Sequence, residues 1–177
     1  MRKSLALCVL LAFSCHSLAQ SPYAGEEQRP IKSMSPERIE GLEAGRGLGY
    51  AKAAELNGYP GPMHVLELAD DLDLDADQVR STEALFETMR ERAGELGRDL
   101  VAVEAELEQA FSEEKITRER LVELVSRSAN IEGQIRLVHL QAHLAQADIL
   151  DAGQLAEYMR LRGYEAQAGD HRHRHDH

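Results

Sequence analysis

His139 and His143 stand four residues apart, a spacing that on a helix brings both imidazoles out of one face, where they could grip Zn, Ni or Cu. Two ligands do not close a site. Glu132, Gln146 or a side chain from another helix or subunit has to complete it; the plain alternative is that the spacing arises by chance. A second group, His171, His173, His175 and His177, alternates with Arg172, Arg174 and Asp176 at the end of the chain. Such tails bind divalent metals weakly and adaptively, and residues 165–177 read as a disordered tail whose plain alternative is a solvated terminus. His64 beside Met63 is suited to capping or packing, with a soft metal contact as the sharper reading.

No catalytic constellation joins these residues. Ser126 and Ser128 have no inferable base, and the carboxylates follow helix-surface patterning, so an enzyme is not expected and no cofactor is required beyond a candidate divalent metal. The 177 residues carry a formal charge of -11, which argues against nucleic acid as a partner because phosphate binding needs a basic stripe.

The elements that would position the histidines are long helices. From Asp75 to Phe111 the small or apolar positions Val79, Thr82, Phe86, Met89, Ala93, Leu96, Leu100, Val103, Leu107 and Ala110 advance by alternating threes and fours. This predicts one helix of about 36 residues, roughly 54 Å long. Ala84, Thr88, Glu91, Glu95, Arg98, Ala102 and Gln109 form its water-facing side. Gly94 and Gly97 mark close packing or a soft point.

A second seam runs through Leu121, Leu124, Ser128, Ile131, Ile135, Val138, Ala142, Ala145 and Ile149. Joined to the first across Ser112 to Thr117, with Thr117 as N-cap, it predicts an antiparallel helical hairpin within an all-α fold. The returning helix is apolar on another side too, through Val122, Ala129, Gly133, Leu137, Leu140, Leu144 and Ala147. That second face needs a cover, either a short helix, a second subunit, or an unfolded or partner polypeptide docking on Leu137, Leu140 and Leu144.

Leu74-Asp75-Ala76-Asp77-Gln78 recurs as Leu150-Asp151-Ala152-Gly153-Gln154. Each copy is a capping box in which Asp caps a helix start and Gln reaches back. The midpoint between the copies lies at residue 112, in the expected turn, so antiparallel folding brings both motifs to one end. A short last helix, Ala152 to about Arg162, should start there.

The first residues read as an export signal: Arg2 and Lys3, then an apolar run from Leu5 to Phe13 too short to span a bilayer, then Ser17-Leu18-Ala19. Cleavage after Ala19 would leave no transmembrane anchor. It would also remove Cys8, Cys15 and two positive side chains, taking the charge from -11 to -13. A thiol-free mature chain cannot use disulfides or Cys ligands. The rival, a lipoprotein acylated at Cys15, has bulky Phe13 where a small residue is expected. Residues 20–61 hold four of the five prolines and seven of the thirteen glycines with little periodicity, so they are expected to be flexible or irregular. Pro62 then suits the first turn of a helix running to about Leu72.

The signal, the hairpin and the two L-x-x-x-Q helix starts together resemble the Spy/CpxP family of LTxxQ-motif proteins, over roughly residues 56–164 and with Asp75 and Asp151 standing where the motif has Thr. The resemblance implies a helical domain over residues 62–164 forming a cradle-shaped, antiparallel homodimer in the periplasm. It implies an ATP-independent chaperone or envelope stress-response protein that binds non-native or partner polypeptides. The alternative within the same family is a periplasmic heavy-metal sensor or regulator using the His pair and tail. Leu74, Gln78, Leu150 and Gln154 carry over as structural residues only. Chaperone members present basic concave surfaces, whereas this chain is acidic.

Overall fold

The computed structural model describes residues 21–164, so the expected export signal and the tail with His171, His173, His175 and His177 lie outside the described residues. The described residues fold into α1 (Pro36–Glu43), α2 (Lys52–Glu55), α3 (Pro62–Glu67), α4 (Ala76–Ser112), α5 (Arg118–Ile149) and α6 (Ala152–Leu161), with a 3-10 turn at Glu26–Gln28 and no strand. None of these helices is long and apolar enough to cross a membrane.

α4 and α5 begin where their caps dictate. Asp75 accepts the amide hydrogens of Asp77 and Gln78, and the Thr117 side chain accepts from Arg120. The two helices pack together with their bonded positions in opposite order: Thr82 with Gln146, Glu104 with Ser128, and Glu106 with Arg120 and Arg127. Of the first seam, Thr82, Ala93, Leu96, Leu100 and Val103 are buried, and of the second, Leu124, Ile135 and Ala142. Leu121 departs from its seam assignment and is 37% exposed, because at the first turn of α5 little chain remains to cover it. α3 closes at Glu67, earlier than expected, and the chain turns through residues 68–73 to reach α4.

Residues 21–61 are largely irregular, as their composition suggests, with only the 3-10 turn, α1 and α2 as regular elements. They build half of a core in which Ile31, Met34, Leu42 and Tyr50 meet Leu96, Leu100 and Ile135. α1 starts on the Ser35 cap with Pro36 at its first position and lies along the α4 backbone. The two α4 glycines permit that approach: a Cβ at Gly97 would stand 2.1 Å from the Leu42 carbonyl oxygen, and one at Gly94 2.9 Å from that of Glu43. Close packing therefore explains both glycines. Gly45, at φ 66°, ends α1 beside the Arg90 carbonyl, where a Cβ would again clash at 2.1 Å. Polar contacts reinforce the docking, with Lys32 on Glu108, Ser33 on Glu104 at 3.2 Å and Arg38 on Glu132 at 3.0 Å.

A second, smaller core joins Val65, Leu72, Leu150 and Tyr158, with Leu74 and Leu155 packed against it. Both motif leucines thus anchor the end of the molecule where α4 begins and α5 stops.

Candidate functional site

Two features of the molecule could do more than hold it together. One is an interior pocket containing the helical histidines; the other is the outer side of α5.

The face of α5 that buries Leu124, Ile135 and Ala142 also carries His139 and His143, 2% and 9% exposed. Both therefore point inward. The His143 Nδ1–H donates to the Tyr59 carbonyl at 2.7 Å, which leaves Nε2 as the ring's lone-pair atom when the imidazole is neutral. Its ring lies on Gly61, where an added Cβ would come within 3.0 Å of Nε2. Glu55 Oε2 stands 3.8 Å from His143 Nδ1. That carboxylate, 13% exposed, is the hub of the α2–α6 junction: it accepts from Tyr158 Oη at 2.7 Å, Tyr164 Oη at 3.0 Å and the Gly61 amide at 3.3 Å, and pairs with Arg162. Burial, reinforced by the neighbouring Glu55 charge, pushes the Tyr158 hydroxyl pKa far above its ordinary value.

His139 has no comparable partner. Its ring stacks on Tyr50 at 6.2 Å between centroids, and its Nε2 is buried without a hydrogen bond. A buried polar atom left so costs about 1–3 kcal/mol. Burial, and secondarily the charge of a protonated His143, holds the His139 pKa below the usual imidazole range.

The histidines line a cavity of about 240 Å³ whose other walls come from four separate stretches: Ala44 to Gly47, Ala51, Gly61 to His64, and Phe86, Met89 and Arg90 of α4. No carboxylate or thiol lines it. Neither Gln146 nor Glu132, nominated from spacing to complete a metal site, lines this cavity, and the Gln146 Oε1 is buried without a hydrogen-bond partner. Gln146 donates to Thr82 Oγ1 at 3.2 Å, and Glu132 accepts from Tyr50 Oη at 2.9 Å as well as from Arg38. Nowhere among the described residues do three or more His, Cys, Asp or Glu side chains converge as a metal cluster. His64 instead faces Glu67, its Nδ1 2.8 Å from Oε2. The sequence reading missed Tyr59, Met89 and Glu55 as neighbours of the histidines. Met89 belongs by its spacing to the helix seam, and nothing in the spacing joins Tyr59 or Glu55 to residues some 80 positions away.

On the outer side of α5 the structure leaves Val122 66%, Val125 48%, Leu137 53% and Leu144 53% exposed. Leu140 is half-buried, and Gly133 has nothing within 4 Å of where a Cβ would stand. At 100° per residue Val122, Leu137, Leu140 and Leu144 lie within about 60° of one another, roughly opposite the side that buries Leu124, Ile135 and Ala142, while Val125 falls on the flank, in line with His143.

The motif residues meet as their spacing requires. Asp75 and Asp151 cap α4 and α6, each within a complete capping box with Gln78 and Gln154. No protein-family model, curated protein or solved structure matches the chain.

Proposed function

We propose that the chain is an exported, ATP-independent chaperone or envelope stress-response protein of the Spy/CpxP kind that binds non-native or partner polypeptides on the outer face of α5. The observation that carries this reading is the row of exposed apolar side chains Val122, Leu137 and Leu144, unpartnered along the helix and turned away from the core. Single exposed leucines are ordinary surface, but a row on one helix side offers an extended segment a continuous contact. Between Ser126 and Gln141 the row is flanked by Asn130 and Gln134 and carries few charges of its own, which suits clients of varied sequence. The formal charge of -11 on the whole chain favours basic clients over acidic ones. The antiparallel hairpin, the cradle-shaped homodimer, cleavage after Ala19 and release into the periplasm belong to the same proposal.

The test is light scattering from an aggregating unfolded client with the mature protein present, with and without zinc. Protection that is independent of zinc and lost in Leu137→Glu/Leu144→Glu supports the reading. Absence of protection, or protection unaffected by that double substitution, overturns it. Metal affinity without protection favours a metal-binding sensor, the second reading, for which the buried pair His139 and His143 speaks.

A further inference from the structure

We infer that the pocket between α3, α4 and α5 is a site for a soft monovalent cation, Cu(I), held by the imidazole nitrogens of His139 and His143 and the thioether sulfurs of Met63 and Met89. All four side chains line the one cavity of about 240 Å³. The inference stands apart from polypeptide binding, which uses the opposite side of α5.

The donor set selects the ion. Zinc structural sites want four ligands from Cys, His and carboxylates, and hard cations want oxygens; neither set converges among the described residues. Neutral imidazole with thioether is the combination that suits Cu(I). A cavity with no carboxylate in its wall also favours low charge, because the cost of taking an ion out of water rises steeply with its charge.

The histidines are arranged as ligands are. The Tyr59 carbonyl takes the Nδ1 hydrogen of His143, fixing the ring and leaving Nε2 to coordinate, which is the outer support that metal-bound histidines have. His139, 2% exposed, keeps a buried Nε2 that no protein group satisfies. A bound cation would supply the missing partner.

The charged residues of the wall do not oppose an incoming cation strongly. Arg46 is paired with Glu40 at 2.9 Å and Arg90 with Glu87 at 2.7 Å. Met63, 45% exposed, stands at the solvent side and Met89 lies deeper, so a sulfur is available to receive the ion at the surface.

The experiment is methionine-methyl NMR of the full mature chain titrated with Ag(I), a diamagnetic stand-in for Cu(I), in chloride-free buffer. The Met63 and Met89 methyl signals should shift and saturate at one equivalent, while Met34 in the main core and Met159 near the second stay in place. In anaerobic competition for Cu(I), Met63→Leu/Met89→Leu should lower affinity at least tenfold with an unchanged helical spectrum. These nearly volume-conserving changes keep the test valid should His139→Leu fail to fold. Unmoved Met63 and Met89 signals at one equivalent overturn the inference. Cu(I) affinity within twofold of the parent in the double variant also overturns it, placing the metal on the histidine tail.

Discussion

Gln78 and Gln154 clasp each other side chain to side chain: Gln78 Nε2 donates to Gln154 Oε1 at 2.8 Å and Gln154 Nε2 donates back to Gln78 Oε1 at 3.0 Å. Each oxygen also accepts the amide of its own cap residue, Asp75 at 3.1 Å and Asp151 at 3.0 Å. Each nitrogen spends its other hydrogen on a backbone carbonyl across the junction, Gln78 on Ile149 and Gln154 on Leu72. The repeated motif is therefore two helix starts locked to one another, with both amides satisfied. Replacing either glutamine by Ala strands its partner. We expect a loss of about 1–3 kcal/mol for each single change. The double change should cost less than the sum, with a coupling of about 0.5–3 kcal/mol in a urea-denaturation cycle. Strict additivity would mean that the clasp contributes nothing beyond two separate caps.

Gly97 and Gly133 are both helix-interior glycines, yet they should respond oppositely to Ala. Gly97→Ala drives a methyl into the Leu42 carbonyl and should destabilise by about 1–3 kcal/mol despite the better helix propensity. The damage should centre on the docked N-terminal stretch, read as faster tryptic cleavage at Arg38 and Arg46. Gly133→Ala meets open space and should stabilise by up to about 1 kcal/mol.

Acid should weaken the fold through His139. Its pKa is depressed in the folded protein from the ordinary 6.5, so below about that pH the unfolded chain binds a proton that the native chain resists. Stability is then level above the unfolded pKa and falls as pH drops from it towards the lower folded value. Thermal melts in chelator from pH 8 to 5 should show this decline, and His139→Leu should flatten it. An equal slope in the variant would assign the effect to other groups.

Glu55→Ala should loosen α6. Tyr158, wholly buried, would lose the acceptor of its hydroxyl, at a cost of about 1–3 kcal/mol. Glu55→Gln keeps an acceptor for that hydroxyl while removing the charge opposite Arg162, and should cost less. Hydrogen exchange of the Ala152–Leu161 amides reads the difference, and equal protection in both variants would deny Glu55 this role.

The two long helices and their starts were legible in the sequence because the signals are local. A three-and-four rhythm of apolar residues is one helix face, and Asp75, Thr117 and Asp151 each satisfy amides within a single turn. The motif spacing even placed Gln78 and Gln154 at one end, though not their mutual bonds. The packing of the stretch from residue 21 to 61 was not legible. Its buried residues Ile31, Met34, Leu42 and Tyr50 keep no period, since each is placed by a different turn against α4 and α5. Its glycines, counted as signs of flexibility, are partly sites of close approach.

The histidine spacing likewise fixed that two imidazoles share a side of α5, and nothing more. That this side faces inward, that Tyr59 fixes one ring while the other lacks a partner, and that Met63 and Met89 complete the wall were decided only when segments distant along the chain came together. Caps and periodicity are settled by bonds a few residues long, whereas a pocket is settled by which surfaces exclude water from one another, and that depends on the whole fold.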